Sequence, residues 1–152
     1  MALLDCVTPF EDVTTTANAW KTLASLKAPS NQMLSLKRCE WFPNGVAGDA
    51  KHLKARMVRI TADSGTGTAI TPKKLNNAFG STPRATARWN FTAEPTVGEV
   101  IYPSHVHPQG AFAREMTFDG AAVEQLTEVA IQVFLATGET VVNVTGGIYH
   151  LE

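Results

Sequence analysis

Two histidines separated by one residue, His105-Val106-His107, are the sharpest candidate for chemistry in the chain. Side chains two positions apart on a strand point to the same face. Both imidazoles could therefore serve one metal ion, which a metal site requires. A third ligand would have to come from elsewhere in the chain, with His52, Glu115 and His150 as the candidates.

The surroundings of the pair argue against such a site. In cupin metal sites a glycine precedes the histidine pair, a glutamate follows a few residues on, and a second motif supplies another histidine. Gly98 precedes the pair here, but the next acid after His107 is Glu115, and the second motif is absent. Pro108 directly after His107 turns the chain rather than continuing the strand. The expectation is that no metal and no cofactor is bound.

Other reactive residues are equally isolated. Cys6 and Cys39 form no CxxC and have no histidine near them in sequence, so both are read as free thiols, one of them in the core. No GxSxG occurs, and Gly65-Thr66-Gly67 lacks the lysine and the helix start of a phosphate loop. Trp20, Trp41 and Trp89 have the chemistry to stack on sugars, although Trp89, on an alternating strand, fits a core. The densest basic run is Lys51, His52, Lys54, Arg56 and Arg59, read as a solvated face, with Lys54 and Arg56 on one side of a strand. No catalytic residue is assigned, and the chain is not expected to be an enzyme.

Composition points the same way. Of 152 residues 44% are apolar and 18% charged, against about 25% charged in ordinary domains. A net charge of −1 gives no general attraction to nucleic acid or anionic membrane. No apolar run is long enough to span a bilayer, and MALLDCVTPFEDVTTT lacks the basic start of a secretory leader. The sequons Asn90-Phe91-Thr92 and Asn143-Val144-Thr145 are accordingly read as chance matches.

The elements that would position any site read as strands. Residues 1–19, with a short apolar patch (Leu3, Leu4, Val7, Phe10) before Thr14-Thr15-Thr16, suggest an extended arm anchored by Leu4 and Phe10. Residues 20–152 read as one domain. Runs near 20–28 and 33–42 are split by the turn cluster Ala28-Pro29-Ser30-Asn31, and the second ends at Pro43-Asn44-Gly45. A third covers 52–61, followed by a flexible loop through Thr68 and a mostly irregular stretch over 69–83.

The clearest strand is 84–92, where Ala85, Ala87, Trp89 and Phe91 alternate with Arg84, Thr86, Arg88 and Asn90. Further runs lie at 98–102 and 111–118; Arg114 breaks the apolar face of the latter and suggests a rim. Residues 120–127 fit a helical turn, with a helix from Asp119 to Gly138 as the alternative. Val129, Ile131, Val133 and Leu135 alternate as a strand, joined by a hairpin at Ala136-Thr137-Gly138-Glu139 to the Val- and Thr-rich run ending at Leu151. The sum predicts an all-β domain: a β-sandwich or jelly roll of about eight strands.

A set of turn and strand-edge residues resembles a known group. It comprises Lys21-Thr22-Leu23 through Ala28-Pro29-Ser30-Asn31 to Asn44-Gly45; Gly67 through Leu75 with Ala85-Thr86-Ala87; Thr92 through Gly98; Val106 through Gly110; and Val142-Asn143-Val144-Thr145 through Glu152. Over residues 20–152 this resembles small β-rich structural proteins of tailed bacteriophages, departing from them in bulkier residues over 119–128. The resemblance implies a virion component, a capsid decoration (cement) protein assembled in the host cytoplasm. It implies binding to the major capsid protein, as a homotrimer at local symmetry axes. A neck, tail or fibre-base protein and a lectin-like domain are the alternatives.

Overall fold

The computed structural model describes residues 4–44, 53–62, 64–76, 80–106 and 114–152, with side chains of 105–106 and 114–120 not described. Among these residues every regular element is a strand: β1 (Asp5–Thr14), β2 (Ala19–Lys27), β3 (Leu34–Asn44), β4 (Leu53–Ile60), β5 (Thr66–Ile70), β6 (Lys73–Lys74), β7 (Thr86–Ala93), β8 (Val97–Val106), β9 (Arg114–Val123), β10 (Glu128–Leu135) and β11 (Asn143–Leu151). They form a five-stranded sheet, β6-β1-β11-β3-β9, and a six-stranded sheet, β5-β7-β2-β10-β4-β8. All pairings are antiparallel.

The pairing follows one rule. β1 pairs with β11, β2 with β10, β3 with β9 and β4 with β8. This is the result of rolling one long antiparallel hairpin, with arms β1–β4 and β8–β11, so that successive pairs alternate between two sheets. The roll closes where β11 meets β3 and β10 meets β4. The fold is a jelly-roll β-sandwich. Strands β5, β6 and β7 are inserted between the two arms, β7 and β5 widening one sheet beside β2 and β6 adding two residues beside β1.

Alternation explains the core. Val129, Ile131, Val133 and Leu135 of β10 face Leu23, Leu26, Leu53 and Met57 of its own sheet's inner side and Phe10, Leu34, Leu36, Trp41 and Ile148 of the other. Burying each such side chain stabilises the fold by about 1.5–3 kcal/mol. Neighbouring aromatic and aliphatic rows on the inner faces lock the register, because a slip of one residue would turn all of them to solvent.

Three expectations are corrected. The described part of the predicted arm is a sheet strand: β1 pairs with β11 from Asp5 to Thr14, and Leu4, Cys6, Phe10 and Val13 are buried. Its polar appearance misleads because Thr8 and Thr15 are buried as well. Pro9 is tolerated because β6 covers only Cys6 and Val7, leaving β1 as the sheet edge beyond them.

Residues 124–127 form a tight turn rather than a helical segment; Thr127 donates to the Glu124 carbonyl from both its N–H (3.1 Å) and its hydroxyl (2.6 Å). The turn at Gly138, with φ of 82°, exists, but it joins strands of opposite sheets and is no hairpin.

Candidate functional site

The residues singled out by spacing do not come together. His107, His52 and Lys51 lie outside the described residues. His105 is placed by its backbone opposite Lys54 on β8, in the six-stranded sheet. His150 lies in the other sheet, opposite Cys6 and Leu36. The end of the sandwich that holds Lys54 also holds Ala19 and Leu135, whereas His150 lies near the opposite end, by Asp5 and Ser35. His150 is therefore no third ligand for His105. For Glu115 and Arg114 the backbone is placed, opposite Glu40 and Trp41.

The tryptophans divide. Trp41 is fully buried and unavailable to a ligand. Trp89 packs against the core. Trp20 is half-buried on the outer side of the six-stranded sheet, with the Arg56 guanidinium 3.7 Å from its ring centroid and Phe134 tilted against it at 5.4 Å.

Arg56, read from sequence as solvated, is thus held in place. Its Nε and Nη2 donate to Gln132 Oε1 at 3.0 and 2.8 Å, and Gln132 Nε2 donates to Thr22 Oγ1 at 2.9 Å. Trp20, Lys54, Arg56, Val100, Pro103 and Ser104 line a shallow concavity of about 240 Å³. It opens beside β8, the terminal strand of that sheet, where Val100 is 43% and Tyr102 42% exposed. Among the described residues no further strand pairs with β8.

Farther along the same outer face the buried Glu128 carboxylate accepts from Arg88 Nη2 at 2.8 and 3.0 Å, from Ser25 at 2.6 Å and from Ser64 at 2.8 Å. Where β7 leaves β2, Glu94 accepts the freed N–H of Thr22 at 2.8 Å. These networks fix the loops beside the sheet and leave no unpaired charge at Glu128.

One cluster combines reactive residue types, and it lies inside. Cys6, His150 and Glu152 are buried, with one potential ligand atom from each within 4.8 Å of the others. Cys6 and His150 are direct cross-strand partners on β1 and β11. Glu152 follows His150 by two residues, and its Oε1 lies 3.1 Å from His150 Nε2. The same carboxylate accepts the backbone N–H of Arg84 at 2.6 Å and of Ala85 at 3.1 Å, joining the two sheets through the segment before β7.

Burial raises the Glu152 pKa, but hydrogen bonds from His150, Arg84 and Ala85 outweigh it and hold the carboxyl below its usual range. Burial, with Glu152 and Asp5 nearby, pushes the Cys6 thiol up to about 11. The sequence carried a partial signal, His150-Leu151-Glu152 on one strand face, but nothing in it announces that β1 pairs with β11.

Cys39 is also buried, and burial raises its pKa well above the ordinary thiol value. Cys6 and Cys39 stand on β1 and β3 with β11 between them, opposite His150 and Ile148; two strand spacings alone separate them by about 10 Å, beyond disulfide reach. Neither thiol should react with a maleimide in the native protein, and both should react once it is unfolded, as read by mass spectrometry. Rapid labelling of Cys6 in the native state would contradict its burial.

Comparison with known proteins adds no relative: no family model, no curated protein and no solved structure matches the chain.

Proposed function

We propose that the chain is a virion structural protein, a capsid decoration protein that binds the major capsid protein and stabilises the shell as an oligomeric β-sandwich, with a homotrimer as the expected assembly. The observation that carries this reading is the β8 edge, with which no further strand pairs among the described residues. A ten-residue terminal strand presents exposed Val100 and Tyr102 beside a shallow concavity. Sheet edges invite pairing with another chain unless they are blunted or covered, and strand addition at an edge is a common recognition mode.

The jelly roll is compatible with this role but is shared by capsid proteins, lectins and cupins, so the site must carry the argument. The sequence resemblance over residues 20–152 points to phage structural proteins. Trp41, a candidate for sugar stacking, is buried, and one face of Trp20 is taken by Arg56. Contacts to a shell would be made at this edge rather than through an extended N-terminal arm, because residues 5–14 are committed to the sheet.

Quantitative mass spectrometry of intact particles tests the proposal. On the order of hundreds of copies per particle supports a shell component, in keeping with repeated symmetric contacts. A dozen or fewer would move the protein to the neck or tail, and absence from particles would end the virion reading. Tyr102→Lys with Val100→Glu should abolish co-sedimentation with capsid shells while leaving the thermal midpoint within a few degrees of the parent. Undiminished co-sedimentation would remove β8 from the interface.

A further inference from the structure

We propose that Cys6, His150 and Glu152 form a binding site for a divalent transition-metal ion of the zinc class, which clamps the first strand of the sandwich to the last. This inference is independent of the virion reading.

The donor set is the first argument. Thiolate, imidazole and carboxylate are the three side-chain types that bind zinc. The geometry is the second. Atoms that share a tetrahedral ion at zinc-ligand bond lengths stand about 3.5 Å apart, and the three potential ligand atoms already lie within 4.8 Å of one another. Small rotamer changes therefore suffice. The backbone is fixed by the β1–β11 ladder, which continues to paired bonds between Leu4 and Glu152 at 2.9 and 3.0 Å.

Unsatisfied polarity is the third argument. His150 is fully buried and its Nδ1 has no hydrogen-bond partner. Buried ring nitrogens normally have one, so the pocket is short of partners; Nε2, which faces Glu152 Oε1 at 3.1 Å, is the nitrogen placed to ligate. Thr8 lies on the same buried face of β1, two residues from Cys6, and its hydroxyl is likewise without a partner. It is available to hold a water in a fourth position.

Charge is the fourth. A buried ion must be neutralised where it sits. On binding, the Cys6 thiol releases its proton to solvent and forms the sulfur–metal bond, His150 ligates as neutral imidazole, and Glu152 ligates as carboxylate. Two negative charges then balance the two positive charges of the ion. Glu152 keeps its N–H donors from Arg84 and Ala85, which orient the ligating carboxylate as outer partners do in metal sites.

The site would join β1, β11 and the segment entering β7, three parts of the chain far apart in sequence. Its role is structural, because all three ligands are buried.

Cobalt(II) and zinc(II) provide the test. The full chain, stripped with chelator, is given each metal both in the native state and during refolding, so that burial cannot hide the site. Cobalt should produce a thiolate-to-metal absorption band saturating at one equivalent, and zinc should raise the thermal midpoint by several degrees. Cys6→Ser should remove the band and weaken zinc binding by at least about 100-fold; Glu152→Gln should weaken it less. Cys39→Ser should retain both effects. Circular dichroism confirms that each variant is folded, and Glu152→Gln carries the test if Cys6→Ser is not. No cobalt band in the refolded parent chain, or a band that survives Cys6→Ser, would overturn the proposal.

Discussion

Replacing Gly146 by valine should cost about 3 kcal/mol or more, seen as a large fall in the urea midpoint or as loss of the cooperative transition. Gly146 sits on β11 between Phe10 of β1 and Trp41 of β3, its register partners on either side. Both aromatics are buried. A Cβ at this position would overlap the Glu40 carbonyl oxygen and lie 2.8 Å from Phe10 Cζ.

The first obstacle is backbone and cannot swing aside, so relief requires β11 to move away from β3. That displacement would break the ladder closing the roll and disturb Ile148 and His150 beyond it. Gly80→Ala provides the contrast. Nothing lies within 4 Å of a Cβ there, so the change should be neutral or stabilise by up to about 1 kcal/mol through the unfolded chain. A Gly146→Val protein with the parent's urea midpoint would show that β11 does not run between Phe10 and Trp41.

Gly146 also marks the limit of what the sequence discloses. Alternation finds strands because the inner face must be apolar, and it works for Ala85 and Ala87 and for Val129 through Leu135. It carries no information about which strand lies alongside. A strand in a sandwich has the same pattern whether its chain neighbour is in its own sheet or the facing one. The Gly138 turn therefore suggests a hairpin, although β10 and β11 belong to opposite sheets.

The helical spacing over Ala122, Val123, Leu126, Val129 and Ala130 arises for a related reason. It combines the end of β9, a turn whose Leu126 adopts φ of 62°, and the start of β10. The turn resets the phase of the pleat, and two out-of-phase strands can imitate a helix.

The same blindness conceals the buried cluster. Cys6 and His150 meet because the roll brings the first and last strands together, a non-local fact that no local spacing encodes. Polar residues that are buried, such as Thr8 and Thr15, reinforce the error by making β1 resemble a solvated arm. The outer networks escape notice as well: Arg56 and Arg88 read as solvent-facing charges until their partners, Gln132 and Glu128, are placed beside them.

Arg88→Met should destabilise the protein by about 3 kcal/mol, with Glu128 as the cause. The Glu128 side chain is 4% exposed and that of Arg88 26%. Removing the arginine leaves a carboxylate in a dry site with two serine hydroxyls for partners, and an uncompensated buried charge is the costly state. Arg88 also donates to the Gly65 carbonyl at 3.1 Å, so the loop before β5 loses an anchor. The partial exposure of Arg88, and the bonds that Ser25 and Ser64 keep to Glu128, place the effect at the lower end of the range for broken buried pairs.

The informative variant is the double change, Arg88→Met with Glu128→Met. It removes both charges and fills much of the same volume, so it should be more stable than Arg88→Met alone. The coupling from a double-mutant cycle in urea should reach at least about 1.5 kcal/mol, within the usual range for contacting residues. Strict additivity of the two single changes would show that the pair is not formed in solution. The outer face of the six-stranded sheet would then be held by Arg56, Gln132 and Thr22 without help from Glu128.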